Sequence, residues 1–509
     1  MNIVLLGSDK RASTGAGGRS DSIMLIHVDP AKSYLSVLSI PRDLYVTIPG
    51  RGPQRINAAY VYGGPALVIR TIQSTFGVDL DHYIEVDFNA FRAITDTLGG
   101  VYVDIDRTYD DGKIQFQPGY QLLDGSAALG YVRTRHDKNY DFGRMERQQR
   151  FISAVREQAM GWNLPLKLPG LIKALFDNID TDLSANEVLK LAYWGVKMDG
   201  SRIHMGKLSG ESQMIDGRAY VVIPPEKITA AVKAFLTAPP AASGDTTSTP
   251  DEDRLTPATL RAVDLKAMSI DVENATGRAG QGALAATWLL RQGAKIGTIK
   301  EADKPSAHGA VVTYPAGRAD EAKRVASALG ITMTRESSEG SRLRVVLGDT
   351  YRLAGDRMPE PQTQGSSGVA IPNADEWRAL AAATELSLAA PTYLPTACAY
   401  SFRRGYSIKA GDESFPAVRV GYRYGSQDRY LGVSETSWLE APLASPGVEV
   451  KGPGGTVYTL VGTRTKTSHI WWKSDGVLHW VSNTLYSDVR REEMLAAALT
   501  VVPVRTTAP

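Results

Sequence analysis

The sequence predicts an α/β chain in three parts: a mixed sheet flanked by helices over residues 1–236, a small α/β unit over 259–358, and a mostly antiparallel β unit over 369–509. Three observations carry that prediction. Short apolar runs alternate with amphipathic helical stretches through the first part, as in a sheet covered by helices. A stretch rich in Pro, Ala, Ser, Thr and Asp (237–258) and a shorter one (359–368) interrupt the pattern and read as linkers. After the second linker, apolar and polar residues alternate in short runs separated by Gly and Asp turns.

The first part opens on NIVLLG (2–7), apolar enough for a central strand, with Asp9 at its exit. A loop of glycine and small residues leads to Arg19-Ser20-Asp21. Two strands follow, 22–28 and 34–40, joined by the turn signal Asp29-Pro30-Ala31-Lys32. Antiparallel pairing about that turn makes Asp21 and Arg42 neighbours. Helices are expected over 66–76 and 88–98, the second ended by Gly99-Gly100. YVRTR (131–135) reads as a strand with Arg133 and Arg135 on one face. A polar loop (136–143) carries Asp141, and a helix from about Arg144 to residue 160 places Arg144, Arg147 and Gln148 on one stripe of its first turn.

Charged residues thus gather where strands end and a helix begins. Several guanidinium groups call for an anion, and carboxylates left among them call for a cation. A pyrophosphate with a divalent metal answers both. The alternative for any one arginine is a solvated face paired with Glu146 or Glu157, but the ordered set favours the anion.

LLGSDKR (5–11), RSDSIMLIHVDP (19–30), LSVLSIPRDLYVTIPG (35–50), RINAAYVYGG (55–64), LDGSAALGYVRTRH (123–136) and DFGRMERQQRF (141–151) together resemble the LytR-CpsA-Psr family of bacterial cell-envelope phosphotransferases. The resemblance implies an enzyme that moves a glycopolymer from a polyprenyl-pyrophosphate carrier onto peptidoglycan, leaving a phosphodiester. It implies Asp9 and Asp21 as ligands of Mg²⁺, with Mn²⁺ as a substitute. It implies Arg19, Arg42, Arg133, Arg135 and Arg144 around the phosphates, with Gln148 in the same shell. Arg55 stands where the family has a basic residue, and Arg147 shares the stripe of Arg144. Arg42, Asp21, Asp141 and Arg144 are the expected catalytic set; the general base stays open among Asp21, Asp141 and a metal-bound hydroxide. The polymer, teichoic acid, capsule or another glycan, is not legible. Water as acceptor would make the same site a polyprenyl-pyrophosphate hydrolase. Without turnover it would be a lipid-binding envelope regulator.

The lipid implies an apolar tunnel, and 24–28, 66–76, 88–98 and 151–160 are candidate walls that ordinary core packing explains as well. The partners expected are therefore the lipid-linked glycopolymer, peptidoglycan and membrane lipid, at the extracytoplasmic face of a bacterial membrane. Family members carry an N-terminal transmembrane helix, whereas Met1 here lies directly on the first strand, so truncation of an anchor is expected. No run approaches the ~20 apolar residues of a span.

Composition frames these readings. Net charge is +2 with 22% charged residues over 509, so the basicity is local, and no basic stripe with aromatic platforms points to nucleic acid. Cys398 is the single cysteine, which excludes an internal disulfide. The histidines lack zinc-ligand spacing, and Tyr109-Asp110-Asp111-Gly112 reads as a turn.

In the second part the order is strand (267–272), helix (281–292), strand (295–300), strand (309–314), helix (320–329), strand (342–347). IDVENATGRAG (270–280), VVTYPAG (311–317) and EAKRVASALG (321–330) resemble the LytR C-terminal domain. Asn274-Ala275-Thr276 is a formal glycosylation sequon. The third part reads as an antiparallel meander closed by a helix at 490–499, its Trp and Tyr residues packing a sheet core or, less commonly, binding glycan.

Overall fold

The computed structural model describes residues 1–8, 20–110, 112, 114–134, 140–160, 176, 179–198, 202–238, 258–306, 309–338, 340–358, 371–425, 429–462, 466–485 and 487–504; for Asp21, Tyr140, Asp141, Phe142 and Val196 it describes the backbone only. The chain forms two compact units, Met1–Ser243 and Gly244–Pro509.

The first unit is built on β1 (Asn2–Ser8), β2 (Ser20–Asp29) and β3 (Tyr34–Ile40). β1 and β2 pair antiparallel, as do β2 and β3, with Ile23 opposite Ile40. The expected turn closes that hairpin: Lys32 N donates to Asp29 Oδ1 at 3.1 Å and Ser33 N to the Pro30 carbonyl at 3.1 Å. A small hairpin of β4 (Tyr45–Ile48) and β5 (Gly52–Arg55) leads into α1 (Ala58–Phe76). Gly63, Gly64 and Pro65 kink α1 (Gly64 φ +59°), which is why only its second half looks helical in sequence.

β6 (His82–Asp87) adds parallel to β1, and α2 (Phe88–Thr97) follows with the Asp87 carboxylate accepting from Ala90 N at 2.7 Å. Gly99 and Gly100, at φ +80° and +85°, end it as expected. Next come β7 (Val101–Ile105), β8 (Tyr109–Asp110), β9 (Gln115–Phe116), β10 (Gly119–Leu123), α3 (Gly125–Arg133) and α4 (Tyr140–Met160). The Asp110 turn is real: Gly112 N donates to Asp110 Oδ1 at 2.7 Å. β11 (Ile179–Thr181), α5 (Ala185–Lys197), β12 (Ile203–Lys207), β13 (Glu211–Ile215), β14 (Arg218–Val222) and α6 (Pro225–Leu236) complete the unit. The main sheet runs β11-β6-β1-β2-β3-β12.

The unit has two apolar cores. Alternate residues Val4, Leu6, Ile23, Leu25, Leu38 and Ile40 pack against α1 and α6, while a second cluster joins β7 and β10 to α3 and α4. The 66–76 wall segment supplies Leu67, Val68, Ile72 and Phe76 to the first core, and Phe151 and Ala154 enter the second.

Two local expectations are corrected. Residues 131–133 are the end of α3, not a strand. Asp124 caps that helix by accepting from Ala127 N at 2.8 Å, and Ala128, Tyr131 and Val132 are buried at helical spacing. The alternation of YVRTR was one helical turn read as two strand steps. The second correction concerns α4, which already runs at Tyr140, so Asp141 is on a helix and Arg144 lies beyond residues 140–143 instead of opening the helix.

In the second unit β15 (Ser269–Asn274), α7 (Gln281–Arg291), β16 (Lys295–Glu301), β17 (Val311–Tyr314), α8 (Ala319–Leu329), β18 (Met333–Glu336) and β19 (Leu343–Leu347) form a sheet ordered β16-β15-β19-β17-β18. α9 (Ala374–Ala382) comes next, and β20 (Ala389–Pro391) pairs with the closing strand β28 (Val501–Pro503). Between them, β21 (Cys398–Ala410), β22 (Glu413–Tyr424), β23 (Tyr430–Thr436), β24 (Val448–Lys451), β25 (Val457–Gly462), β26 (Thr467–Ser474) and β27 (Val477–Ser482) form an antiparallel sheet, with α10 (Arg491–Leu499) after them. It is not a simple meander, because β23 pairs with β27 and β24 forms the edge. One core runs from Leu265 to Leu499 and takes in Trp288, Trp377 and Trp472. The Asn274 amide is buried and tied to the Arg278 carbonyl, so the sequon is structural. Glu492 of α10 caps α7, its carboxylate accepting from Gly280 N at 2.8 Å and Ala283 N at 2.7 Å. Burial and that neighbouring carboxylate push Glu301 up to about 9.

Candidate functional site

Strand direction gathers the site. β1, β3, β6 and β12 all run the same way, so their carboxyl ends, Ser8, Ile40, Asp87 and Lys207, share one end of the sheet with the start of β2. Open α/β sheets place ligands at this end.

Asp21 lies there in a β-bulge. Gly7 pairs with Ser22 and Ser8 with Ser20, leaving Asp21 as the extra residue at the mouth of the β1–β2 ladder. A Cβ on Gly7 would sit 3.0 Å from Ser22 Cβ, so the two strands approach closely at the bulge. Arg42 lies two residues past β3, as the hairpin register requires. The Pro41–Leu44 turn is held by Leu44 N to the Pro41 carbonyl (3.1 Å), Asn57 N to the Arg42 carbonyl (3.1 Å) and Val221 N to the Asp43 carbonyl (2.9 Å).

Asp43 bridges two of the expected arginines. Its Oδ2 lies 3.4 Å from Arg42 Nε and its Oδ1 3.4 Å from Arg55 Nε. Arg55 also donates to the Ala219 carbonyl through Nε (3.0 Å) and Nη2 (2.7 Å) and lies over the Tyr220 ring. Arg55 therefore braces Asp43 beside Arg42. Arg133 reaches the same sheet end from α3: its guanidinium carbon is 4.3 Å from the centroid of Phe88, the residue after Asp87.

Helix α4 crosses the opposite face from α1. Gln148 Nε2 donates to Ser22 Oγ at 2.7 Å, gripping the bulge, and Gln149 Nε2 donates to Ser39 Oγ at 2.9 Å. Glu146 pairs with Lys207 of β12. Arg144 is buried one turn before Gln148 on that stripe. Arg147 diverges from it. Fully buried, it donates to the Thr134 carbonyl and lies 4.9 Å from the Tyr109 ring centroid. The Tyr109 hydroxyl donates to buried Asp106 at 2.8 Å, and burial drives that phenol well above its ordinary range. Asp9, Arg19 and Arg135 lie outside the described residues, as do the side chains of Asp21 and Asp141.

The sequence did not single out Asp43, nor the buried Glu85, whose Oε1 accepts from Ser8 Oγ at 2.8 Å and Tyr60 Oη at 2.5 Å. Asp43 follows Arg42 directly, a signal that was readable. Glu85 sits in an alternating strand and gives none.

Residues 1–236 match the LytR_cpsA_psr family, and residues 267–351 match the LytR cell envelope-related transcriptional attenuator domain. The chain is 35% identical over 237 residues to the polyisoprenyl-teichoic acid–peptidoglycan teichoic acid transferase TagU of Oceanobacillus iheyensis, covering 45% of this chain and 72% of that protein. It is 34% identical over 186 residues to the regulatory protein MsrR of Staphylococcus aureus, covering 36% of this chain and 56% of that one. The crystal structure of TagV from B. subtilis aligns at 28% identity and a TM-score of 0.43, over 47% of this chain and 98% of TagV. With residues 1–236 matching the family and a relative 35% identical covered over 72% of its length, the chain belongs to the LytR-CpsA-Psr family.

Proposed function

We propose that this chain transfers a glycopolymer from a polyprenyl-pyrophosphate carrier to peptidoglycan, leaving a phosphodiester, at the extracytoplasmic face of the bacterial membrane. The observation that carries this reading is the meeting of Arg42, Arg133 and the Asp21 bulge at the carboxyl ends of β1, β3 and β6. The name of the Oceanobacillus iheyensis relative, a teichoic acid transferase, supports the reaction class.

Phosphoryl transfer asks a protein chiefly for positioning and charge neutralisation. Arginine forks suit phosphate oxygens, and Arg19, Arg42, Arg133, Arg135 and Arg144 supply them here, with Gln148 holding the bulge. The acceptor hydroxyl of a muramyl residue attacks the phosphorus attached to the sugar in line. The bond from that phosphorus to the bridging oxygen breaks, and polyprenyl monophosphate leaves. The hydroxyl proton passes to a carboxylate, Asp21 or Asp141.

The donor set fits Mg²⁺, which prefers few carboxylates and completes its shell with phosphate oxygens and water. The bulge sets Asp21 beside the last residues of β1, and Asp21 together with Asp9, which follows Ser8 in the sequence, would hold the ion, or Mn²⁺. Bound there, it neutralises pyrophosphate charge.

The test is transfer of a labelled lipid-linked glycan to peptidoglycan by wild type, Arg42→Ala and Asp21→Ala. Each variant should lose about 10²–10³-fold in rate, the cost of one removed charge-stabilising group. Full transfer by both would overturn the assignment. Label released from lipid without reaching peptidoglycan would mark a hydrolase.

A further inference from the structure

Strand register in the second unit assembles a further polar cluster. His479 of β27 stands directly opposite Glu435 of β23 on one side and Trp472 of β26 on the other. Ser474 lies two residues beyond Trp472, so it shares their face and is the diagonal neighbour of His479. The side chains meet in that order. Ser474 Oγ is 2.9 Å from His479 Nε2, and His479 Nδ1 is 3.5 Å from Glu435 Oε1.

Each partner is itself held. Glu435 Oε1 accepts from Ala389 N of β20 at 3.0 Å, and Trp472 stacks on the imidazole with centroids 5.2 Å apart. Glu435 and His479 are buried, whereas Ser474 is half-buried beside the exposed turn residues Asp475 and Gly476. Burial pushes the Glu435 carboxyl above its ordinary range, and the facing imidazole opposes that rise. A carboxylate at Nδ1 favours the tautomer with its proton there, which leaves Nε2 to accept from the serine. A nucleophile within hydrogen-bond reach of a base that a third group orients is the arrangement of an activated serine. The 3.5 Å contact is long for a hydrogen bond, as such contacts often are before substrate binds. Ser468 and His469 show the contrast. Ser468 Oγ lies 3.1 Å from His469 Nδ1 but donates to the Val461 carbonyl at 3.0 Å, and His469 Nε2 faces the Leu443 carbonyl at 2.8 Å instead of a carboxylate.

We propose that Ser474, His479 and Glu435 form a serine-nucleophile site in the second unit that cleaves carboxylic esters. Ser474 Oγ attacks the ester carbonyl carbon as its proton passes to His479 Nε2. The bond from that carbon to the alcohol oxygen breaks, and the alcohol leaves with the Nε2 proton. Water then gives a proton to Nε2 and its oxygen to the acyl carbon, and the carboxylic acid departs as Ser474 regains its hydroxyl proton. Ser474 and His479 are the catalytic residues. Glu435 is a positioning residue that holds the imidazole and balances its charge.

The experiment treats the full chain with a fluorophosphonate, which bonds to an activated serine oxygen with loss of fluoride, and maps the adduct by peptide mass spectrometry. Hydrolysis of p-nitrophenyl acetate is followed in parallel. In wild type Ser474 should label about 10²-fold faster than Ser468, the gain from a general base. Ser474→Ala should remove the adduct and slow hydrolysis by about 10²-fold or more. Glu435→Gln keeps an acceptor for Ala389 N and removes the charge; it should lower kcat by about 10²-fold or more with KM unchanged. Should Glu435→Gln fail to fold, the labelling contrast in wild type and the Ser474→Ala rate carry the decision. Equal labelling of Ser474 and Ser468, no hydrolysis by wild type, full hydrolysis by Ser474→Ala, or an unchanged kcat in folded Glu435→Gln overturns the assignment.

Discussion

Arg147→Met separates two roles for an arginine that sequence alone assigns to the phosphate shell. In the structure its guanidinium donates to the Thr134 carbonyl, faces Tyr109 at 4.9 Å and is fully buried. Methionine keeps much of the volume and removes the charge. The lost charged hydrogen bond is worth about 1.5–3 kcal/mol, and the lost cation–π contact about 0.5–2 kcal/mol. A sum near ~3 kcal/mol, at ~2–4 °C per kcal/mol for a unit of this size, lowers the midpoint by ~6–12 °C. Calorimetry of the full chain reads this directly. Transfer assayed well below the lowered midpoint should fall by no more than about tenfold, against the ~10²–10³ of a lost phosphate contact. A midpoint within ~2 °C of wild type, together with abolished transfer, would refute the packing role and return Arg147 to the phosphates.

Two further outcomes test the fold. Glu301 holds its proton far above the ordinary 4.5, up to about 9, because of burial and the Glu492 carboxylate. The folded state thus binds a proton that the unfolded chain releases, so stability is full below about 4.5 and is lost as pH rises through about 9; Glu301→Gln should flatten that slope in pH-resolved melts. Gly125 opens α3 against α2, where a Cβ would lie 2.4 Å from the Arg92 carbonyl oxygen and 2.7 Å from its Cα. Gly125→Ala should cost about 1–3 kcal/mol by urea unfolding, whereas Gly195→Ala, within α5 and with nothing inside 4 Å of the new Cβ, should gain about 0.5–1 kcal/mol.

Local rules made much of this fold legible. The β2–β3 hairpin was readable because a turn signal and the strand period fix register together, and register alone places Asp21 near Arg42. The helix over 88–97 was readable because Asp87 begins it and glycines end it. α3 was misread because its last turn is too short to show its period, and the Asp124 cap lies outside the window that looked like a strand. β18 and β24 were missed because each has four residues and at most one that is buried. The Glu85 cluster was invisible for a different reason: its partners lie 77 and 25 residues away, and only strand order brings them together.

The stripe on α4 sets the boundary most sharply. Arg144, Arg147 and Gln148 follow helical spacing, and spacing places them on neighbouring rows. Adjacent residues on a helix nevertheless point roughly 100° apart. Gln148 turns to Ser22 at the strand mouth, and Arg147 turns to Thr134 and Tyr109 in the interior. A stripe in sequence thus selects a sector of a helix surface, and what fills each side of that sector is decided by elements distant in the chain. Here β2 lies on one side and the α3 terminus with the β8 tyrosine lies on the other. The same division applies to Arg42 and Arg55, which sequence gives as two basic residues of one shell. Asp43 makes them unequal, since Arg55 is also committed to the Ala219 carbonyl while Arg42 stands at the sheet end. The charge pattern groups these arginines in sequence; the carbonyls and carboxylates around each guanidinium set Arg55 and Arg147 apart as held by the protein's own backbone.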